Sequence, residues 1–397
     1  MEKGIAITGM GIISSIGNNV EENYNALCSG KHGISFPKIL KTRHTNLPVG
    51  EIKITNEALA KKLSLPENHS FTRAALLACI AGKEAISQAG ITETELNETG
   101  FISGSSVGGM DKTEEFFQEF DKNTEIRRFI RAQHPGFTTS QISDFLKTQG
   151  FVTTISTACS SSANAIMLGA RMIKAGKLKR VIVGGTDCLT KFTLNGFNSL
   201  MILSSENCKP FDEYRNGLNL GEGAGYLILE GDEYLAGKQV LGRITGYGNA
   251  NDAFHQTASS ETGEGAYLAM QKALKSAGIS SNKIDYINAH GTATKNNDFS
   301  ESMAIQRVFG EVIPELSSTK AFTGHTLAAA GAIEAVYSLL SLQNNQIFPN
   351  LNFSTKMEKT GIQPVLELTS KNMKHVLSNS FGFGGNCTSL IFNRDEK

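Results

Sequence analysis

Apolar residues along the chain form short runs that alternate with segments of helical spacing. Residues 4–13 are rich in isoleucine and glycine, and residues 178–187 are apolar on both faces, which is typical of a strand buried within a sheet. Residues 72–90 carry apolar side chains at the spacing of a core helix. Strands that alternate with helices predict an α/β fold with mainly parallel, buried strands.

The order of these elements repeats once along the chain. Each half opens with a strand and a glycine turn, at residues 4–13 and 240–251, and continues through a helix to another strand and turn. Each half then reaches a helix that begins among small residues. The pattern predicts two related halves, residues 1–236 and 237–397, whose helix starts face a shared cleft. Residues 110–150 are predicted to be an excursion from the core.

A cysteine stands at the helix start of the first half. It is Cys159 in residues 153–162, TTISTACSSS, where a β-rich run gives way to a helical pattern. The first turn of a helix has N–H groups without intrahelical partners and a partial positive charge. We therefore expect a lowered thiol pKa and a reactive thiolate, with small neighbours that admit a substrate carbonyl. The alternative is a buried Cys159 that acts only as a small apolar residue.

Two histidines stand at turns flanked by small residues. His290 ends an apolar strand in HGTAT, and His325 precedes an alanine-rich helix in TKAFTGHTLAAAGA. Ligands bind at strand ends in α/β folds, which makes His290 a candidate for chemistry. Each histidine alone fits a structural role better than a catalytic one, and Lys320 alone fits a solvated lysine. Cys159 and both histidines together are harder to assign to an unrelated core, and they predict a catalytic site.

Composition narrows the class of protein. The chain has 38 basic and 38 acidic residues, and this zero net charge gives no reason to expect general nucleic-acid binding. Its six cysteines form neither a CxxC pair nor a zinc-type cluster, which suits a reducing compartment. The N-terminal apolar run is broken by glycines and predicts a buried strand, not a signal peptide. No apolar stretch reaches about 18 residues, so we expect a cytoplasmic protein without a membrane span.

Five sequence blocks, TACSSS, GLNLGEGAG, HGTAT, TKAFTGHTLAAAGA and NSFGFGG, occur in this order across essentially the whole chain. Because it carries these blocks in this order, the chain resembles the elongating β-ketoacyl-acyl carrier protein synthases. The resemblance implies the thiolase fold, with two halves in a five-layer α-β-α-β-α arrangement, and usually a dimer. It also implies decarboxylative condensation of an acyl-enzyme with malonyl-acyl carrier protein, as in fatty-acid elongation, without a redox cofactor or an essential metal.

The resemblance assigns catalytic roles to individual residues. Cys159 matches the acylated nucleophile, and His290 and His325 match the two histidines of a Cys-His-His triad. Lys320 matches the lysine that holds the network around the second histidine. These residue types suit the chemistry, because a thiolate takes the acyl chain in one step, and two neutral imidazoles then stabilise the enolate that malonyl decarboxylation produces.

The resemblance places a gate and an oxyanion hole in the last block. Phe383 matches the phenylalanine whose loop gates the malonyl side of the site, and Phe381 is its neighbour. The backbone N–H groups of Cys159 and Phe383 would form the oxyanion hole. Such N–H groups would hold the tetrahedral intermediate that forms when the enolate carbon attacks the acyl-cysteine.

Two further assignments concern a cation and the carrier protein. Relatives can hold a cation near the active site, and the matching residues here are Asn288, Glu334, Ser378 and Asn379. Carrier proteins are acidic, so a basic rim near the pocket mouth would steer them toward it. The candidate basic residues are Arg127, Arg128, Arg131, Lys61, Lys62 and Lys209. A solvated run of surface charge explains the same residues equally well.

The chain departs from the family's blocks at two places. It reads GGNCTS after the gate loop, where the family commonly has Thr-Asn, and Cys387 is expected to be a small core residue. It reads KNND after HGTAT, where many relatives have a proline and a glycine, although Asp298 and Glu301 still match the acidic positions. The departures leave an alternative open, in which the chain is the ketosynthase subunit of an aryl-polyene or polyketide pathway. It would then pair with a chain-length-factor subunit instead of forming a homodimer.

Other classes of protein fit the blocks less well. Residues 104–108, GSSVG, match the G-x-S-x-G motif of a serine hydrolase and would make Ser106 the nucleophile, but no convincing acid and histidine follow in order. A thiolase needs a second catalytic cysteine in a loop that GGNC does not match. A chain-length factor lacks the nucleophile that Cys159 provides, and an initiating synthase carries Asn in place of His325.

Overall fold

The computed structural model describes residues 4–395. This part of the chain forms twelve strands and twelve α-helices, joined by loops and short 3₁₀ turns. The strands are β1 (Ile5–Ser14), β2 (Gly100–Gly104), β3 (Val152–Ile155), β4 (Arg180–Asp187), β5 (Gly223–Glu230), β6 (Gly242–Asn251), β7 (Tyr286–Asn288), β8 (Glu315–Ser317), β9 (Gln346–Ile347), β10 (Thr369–Ser370), β11 (His375–Phe381) and β12 (Asn386–Asn393). The helices are α1 (Val20–Cys28), α2 (Asn56–Lys62), α3 (Arg73–Gln88), α4 (Glu93–Leu96), α5 (Met110–Phe116), α6 (Pro135–Phe145), α7 (Ser161–Lys174), α8 (Lys191–Ser199), α9 (Glu264–Ala277), α10 (Lys295–Phe309), α11 (Lys320–Thr323) and α12 (Ala330–Asn344).

One ten-stranded sheet repeats a five-strand pattern. Its order is β3-β2-β4-β5-β1-β6-β12-β11-β7-β8, and β1 pairs with β6 at the centre. In the first half β5 lies antiparallel between β1 and β4, and β2 lies parallel between β4 and β3. In the second half β12 lies antiparallel between β6 and β11, and β7 lies parallel between β11 and β8. These are the places that β5 and β2 take in the first half. The topology is thus duplicated, while the division into residues 1–236 and 237–397 stays a proposal.

The expectation of a mainly parallel sheet is wrong. Antiparallel pairs join β1 to β5 and β6, β4 to β5, and β12 to β6 and β11. One cause of the antiparallel pairing is a short connection: β11 and β12 are joined by residues 382–385 alone. So short a turn joins antiparallel strands, because a parallel pair needs a crossover of a dozen or more residues. The strands are nonetheless buried as expected, including every residue of β2, β4 and β5.

Helices lie outside the sheet and between its two halves. α7 packs on β2 and β4, α12 packs on β5 and β11, and these two helices contact each other. α3 covers β1 and β5 from outside, while α9 covers β6 and β12 and contacts α10. The result is the five-layer α-β-α-β-α arrangement. Because α12 lies in the central layer, its residues are buried on almost every side.

Residues 110–150 are only partly an excursion from the core. α5 buries none of its residues, as the charged sequence predicts. α6, however, packs on both β3 and α3. The helical part of this segment that borders the sheet therefore belongs to the core. Of the helices in residues 4–395, none is long and apolar enough to cross a membrane.

Candidate active site

Cys159 lies in a sharp turn between β3 and α7, which we call the nucleophile turn (residues 157–160). Ala158 has a φ of 52°, a left-handed conformation that is uncommon for alanine. The hydroxyl of Ser160 donates a hydrogen bond of 2.7 Å to the carbonyl of Thr157 and so closes the turn. The cysteine is 6% exposed and lines a pocket. The local sequence therefore holds the sulfur at the wall of a cavity, just before α7 begins.

Burial outweighs the helix start in setting the pKa of the thiol. Loss of hydration raises the pKa of Cys159 to about 12, and the charge of Asp187 adds to the rise. Lys320 and the backbone N–H groups of Phe383 and Cys159 act in the opposite direction. The expectation of a lowered pKa is therefore wrong for the free thiol. The resting protein holds a protonated Cys159, and a base must remove its proton before attack.

His325 is the side chain placed to accept that proton. Its Nε2 lies 2.9 Å from the sulfur of Cys159. The glycine block of the first half holds the histidine in place, since the His325 N–H donates to the Asn219 carbonyl at 2.7 Å and its carbonyl accepts from the Gly221 N–H at 2.9 Å. Burial and the neighbouring Lys320 cation hold the pKa of His325 well below its ordinary value. The ring is therefore neutral at neutral pH and able to accept the thiol proton.

His290 lies beside His325 at the end of β7. The two ring centroids are 5.4 Å apart and the ring planes are nearly perpendicular. The carboxylate of Glu301 accepts hydrogen bonds from the N–H groups of His290 and Gly291, at 2.9 and 2.8 Å, and so fixes the end of the strand. Burial and the neighbouring Lys320 cation hold the pKa of His290 well below its ordinary value. Both imidazoles are thus neutral at neutral pH.

Lys320 connects His290 to the central helix. Its Nζ lies 3.3 Å from His290 Nδ1 and forms a buried ion pair with Glu334 of α12. Because an ammonium only donates, His290 Nδ1 accepts and the ring proton lies on Nε2. The assignment of Lys320 to the second histidine is therefore corrected, since its contact is with His290 and it affects the pKa of His325 through its charge. Burial raises the pKa of Glu334 to about 7, against the pull of Lys320.

Phe383 lies in the turn that joins β11 to β12, which we call the gate turn (residues 382–385). Its ring stacks on Phe197 of α8, with centroids 5.7 Å apart and an interplanar angle of 17°. Its N–H and that of Cys159 both act to lower the pKa of the cysteine thiol. The gate turn comes very close here, because a Cβ on Gly382 would lie 2.7 Å from a carbonyl oxygen of the nucleophile turn. The structure therefore brings the two expected oxyanion donors together.

These groups line one pocket of about 420 Å³. Cys159, His290 and His325 face it together, and Phe381 lines it with its ring centroid 5.6 Å from that of His290. Part of the wall is apolar, formed by Phe197, Met201, Ile202, Leu218 and Phe383. Another part is polar, formed by Thr257, Ser259, Thr294, Lys295 and Asn296. The pocket suits a molecule with an apolar chain and a hydrogen-bonding arm.

The four residues expected to hold a cation fit that role in part. Asn288 on β7 pairs in register with Ser378 on β11, and its amide contacts the Glu334 carbonyl at 3.3 Å. Asn288 Oδ1 and Glu334 Oε2 are buried oxygens without a hydrogen-bond partner, which suits a cation. Asn379 fits less well, because its side-chain oxygen accepts from Ser389 at 2.7 Å. Residues 4–395 contain no cluster of three His, Cys, Asp or Glu side chains suited to a metal, and the cation stays a prediction.

The basic residues expected near the pocket mouth do not line the pocket itself, and their docking role stays a prediction. None of the six lines the pocket within the described chain. Arg127 donates to two backbone carbonyls at 2.9 and 3.2 Å, Arg128 lies over the ring of Phe129, and Lys209 pairs with an acidic neighbour at 3.5 Å. The lysine that does line the pocket is Lys295, in the KNND departure. The six basic residues that do not line the pocket are Lys61, Lys62, Arg127, Arg128, Arg131 and Lys209.

Ser106 is not arranged as a nucleophile. Its hydroxyl donates a hydrogen bond of 2.6 Å to Asp187, and no histidine is among its hydrogen-bond partners in the described part of the chain. The same carboxylate accepts from the Ser105 hydroxyl at 2.9 Å and from the Ala328 N–H at 3.0 Å. Asp187 therefore ties the turn after β2 to the loop that follows His325. The serine hydrolase alternative has no support in this geometry.

Sequence reasoning missed a network of amides behind the two turns. Asn386 Oδ1 accepts hydrogen bonds from the Ser160 hydroxyl and from the amides of Asn164 and Asn249, at 2.8, 2.8 and 2.9 Å. The GGNC departure marked this position, but a single polar residue after two glycines does not reveal its partners. Cys387, which follows, is buried as expected and also lines the pocket.

The fold and the site together define a class of enzyme that carries an acyl group on a cysteine within a duplicated α/β fold. Models of the beta-ketoacyl synthase N-terminal and C-terminal domains match residues 2–234 and 241–354. The chain therefore belongs to the β-ketoacyl synthase family, as its sequence blocks indicate. The thiolase fold expected from those blocks is confirmed by its structural neighbours.

Relatives of two kinds match the full chain. The 3-oxoacyl-[acyl-carrier-protein] synthase 2 of Staphylococcus aureus is 34% identical over 413 residues, 99% of each chain, and that of Vibrio cholerae is 32% identical over 419 residues, again 99% of each. Among solved structures, the ishigamide ketosynthase/chain length factor has a TM-score of 0.92 with 28% identity, over 98% of this chain and 99% of that one. A ketosynthase in complex with its chain length factor from Xenorhabdus doucetiae has a TM-score of 0.86 with 31% identity, over 98% of each chain.

Proposed function

We propose that this protein joins an acyl group held on Cys159 to the malonyl group of malonyl-acyl carrier protein, with loss of carbon dioxide. The product is 3-oxoacyl-acyl carrier protein, as in fatty-acid elongation. One observation carries the proposal: the Cys159 sulfur lies 2.9 Å from His325 Nε2 inside the pocket that His290 also lines. The names of the full-length relatives in Staphylococcus aureus and Vibrio cholerae support it.

In the first half-reaction Cys159 takes the acyl group from an acyl carrier protein. His325 Nε2 accepts the thiol proton as the sulfur attacks the thioester carbonyl. The N–H groups of Cys159 and Phe383 stabilise the negative charge on the carbonyl oxygen. The bond to the carrier sulfur then breaks, and the proton passes from His325 to the departing carrier thiolate. Because burial raises the pKa of the thiol, this transfer to His325 is essential to the step.

In the second half-reaction malonyl-acyl carrier protein loses carbon dioxide and becomes an enolate. The Nε2–H of His290, fixed by the contact of Lys320 with Nδ1, donates to the enolate oxygen. The enolate carbon attacks the acyl-Cys159 carbonyl, the new carbon–carbon bond forms, and the cysteine leaves as a thiolate that takes up one proton from solvent. Losing one donor of this kind costs about 3 kcal/mol of transition-state stabilisation.

Turnover by two cysteine variants tests this proposal. Cys159→Ala should form no 3-oxoacyl-acyl carrier protein from acyl- and malonyl-acyl carrier proteins, as measured by mass spectrometry of the carrier. Cys387→Ala is the matched control, because Cys387 is also buried and lines the same pocket. It should retain most of the activity. Product formation by Cys159→Ala, or its loss in both variants alike, would contradict the proposal.

Cytoplasmic location is also proposed. A cysteine nucleophile has to stay reduced, and the cytoplasm keeps thiols reduced. All six cysteines of the chain are free. Fractionation of producing cells, with the activity assayed in each fraction, would test the proposed location.

The exposed edge of the sheet supports a dimer. β3 is the end strand, pairs with β2 alone among the described strands, and carries Val152 at 37% exposure, with Phe151 before it at 43%. An edge with free N–H and C=O groups and exposed apolar side chains is a template for pairing with another chain. We propose that β3 pairs with β3 of a second copy in a homodimer.

A second candidate function is that of a ketosynthase subunit paired with a chain-length factor. It is favoured by the two solved ketosynthase structures that include a chain length factor. Native mass spectrometry of the purified protein separates the candidates. A homodimer that is active alone supports the first, and Val152→Lys should then shift it toward monomer. A protein that loads acyl groups only after a second polypeptide is added supports the second.

The carrier protein is proposed to dock on basic residues around the pocket. Acidic carriers are steered by positive charge, and both the Arg127–Arg128 pair and Lys295 are candidates. Charge reversal of Arg127 and Arg128 together should raise KM for the carrier-bound acyl donor and leave turnover of a small acyl thioester intact. Lys295→Glu provides the comparison at the pocket itself. Unchanged KM in both variants would discard the steering proposal.

A further inference from the structure

The two oxyanion N–H groups belong to turns from different halves of the chain. The N–H of Cys159 is part of the nucleophile turn, between β3 and α7, and that of Phe383 is part of the gate turn, between β11 and β12. The turns lie so close that a Cβ on Gly382, next to Phe383, would lie 3.1 Å from the Cys159 nitrogen. The spacing of the two N–H groups therefore depends on how firmly the two turns are held against each other.

One side-chain oxygen joins these turns. Asn386 directly follows the gate turn, and its carbonyl closes that turn by accepting a hydrogen bond of 2.8 Å from the Gly382 N–H. Its side-chain oxygen accepts a hydrogen bond of 2.8 Å from the hydroxyl of Ser160. Ser160 is adjacent to Cys159, and the same hydroxyl contacts the Thr157 carbonyl within the nucleophile turn. The Ser160 hydroxyl, whose one proton is shared between Asn386 Oδ1 and the Thr157 carbonyl, thus connects the two turns that carry the oxyanion donors.

The surrounding amides hold this oxygen in a fixed orientation. Asn386 Oδ1 also accepts from Asn164 of α7 and Asn249 of β6, at 2.8 and 2.9 Å. The Asn164 side-chain oxygen in turn accepts from Asn249 and from the Thr388 hydroxyl, at 3.0 and 2.8 Å. An oxygen with three donors around it has little freedom to rotate. Asn386 is the first residue of the NC pair that departs from the usual Thr-Asn, so the arrangement belongs to this chain's own sequence.

We propose that Asn386 is a positioning residue that sets the spacing of the two oxyanion N–H groups by joining the gate turn to the nucleophile turn through Ser160. The inference rests on the oxyanion hole of the proposed function. It predicts that loss of the Asn386 amide slows attack on a thioester carbonyl, which develops an oxyanion. A reaction of the same sulfur that develops no oxyanion should be spared.

Two single-turnover reactions of Cys159 test this difference. One is acyl transfer from octanoyl-acyl carrier protein, and the other is alkylation by iodoacetamide, a direct displacement that needs no oxyanion hole. In Asn386→Ala we expect acyl transfer to slow by about 100-fold, the effect of a misplaced catalytic group, while alkylation keeps the wild-type rate. Asn386→Thr, which restores a hydroxyl acceptor, should recover part of the lost rate.

Asn249→Ala is the matched control. It removes one of the three donors to the same oxygen but leaves the Ser160 contact, so acyl transfer should fall by no more than about 5-fold, the effect of one ordinary hydrogen bond. The inference is overturned if Asn386→Ala transfers at the wild-type rate, if it slows alkylation equally, or if Asn249→Ala matches it. Acyl transfer to Cys159 in the wild-type protein tests the proposed function separately from this inference.

Discussion

Replacing Lys320 by methionine removes a cation from the centre of the site. Lys320 and Glu334 are each 2% exposed and form an ion pair, so the variant leaves a buried carboxyl without its partner. With Lys320 present, burial already raises the pKa of Glu334 to about 7 from an ordinary 4.5. Without Lys320 the carboxyl is protonated at neutral pH. Above about pH 7 wild type ionises this carboxyl and the variant does not, so each further pH unit costs the variant roughly 1.4 kcal/mol, or about 3 kcal/mol by about pH 9.

The raised pKa of Glu334 makes the stability of Lys320→Met depend on pH. The folded variant holds a Glu334 carboxyl with a raised pKa, while the unfolded chain ionises it at an ordinary pKa. Relative to wild type, in which the pKa of Glu334 is already about 7, the stability of Lys320→Met is therefore close to normal below about pH 7 and falls as pH rises toward about 9. Urea denaturation at about pH 6 and at about pH 9 measures the difference. Adding Glu334→Gln removes the ionisable group, so the double variant should recover stability and lose the pH dependence.

Activity separates the two roles of Lys320. The Lys320 contact fixes the tautomer of His290, so condensation should fall by about 100-fold in Lys320→Met, and it should stay low in the double variant with Glu334→Gln. Acyl loading of Cys159 should change less, because Lys320 touches His290 and not His325. Full recovery of condensation in the double variant would refute the tautomer argument. Wild-type stability of Lys320→Met at about pH 9 would refute the argument from the buried pair.

Three further predictions concern single residues. Because burial raises the pKa of Cys159 to about 12, its alkylation rate should climb about tenfold per pH unit between about pH 7 and 10, and a plateau below about pH 9 would contradict this. His290→Ala should slow malonyl decarboxylation by about 100-fold and largely spare acyl loading of Cys159; an equal loss in both assays counts against separate roles for the histidines. Ser106→Ala should condense acyl groups at nearly the wild-type rate, since Ser106 binds Asp187, and a large loss of condensation would revive the serine as a nucleophile.

The reactive residues were predictable because local patterns mark the ends of strands and helices. Cys159 stands where a β-rich run meets a small-residue helix, and His290 and His325 stand at comparable turns, so three short windows were enough to find them. The duplicated topology was also visible, because each half repeats the same order of strand, turn and helix. The resemblance of the blocks to one family added the roles of these residues.

Features that depend on packing were not predictable in the same way. The helix start at Cys159 suggests a lowered pKa, but the depth of burial, which reverses the direction, is set by residues distant in sequence. Lys320 lies in the same sequence block as His325 and yet contacts His290, at the end of another strand. The antiparallel pairing of β5 with β1 and of β12 with β6 likewise arises between strands that are distant in sequence. The partners of Asn386 come from α7 and β6, which no local window contains.

Intact-protein mass spectrometry with a chase tests the central claim most directly. The protein is incubated with an acyl-acyl carrier protein and then with malonyl-acyl carrier protein. We expect the mass of one acyl group on Cys159, which the chase removes as 3-oxoacyl-acyl carrier protein appears, and no adduct on Cys159→Ala. An acyl adduct on another residue, or one on Cys159 that survives the chase, would contradict the account.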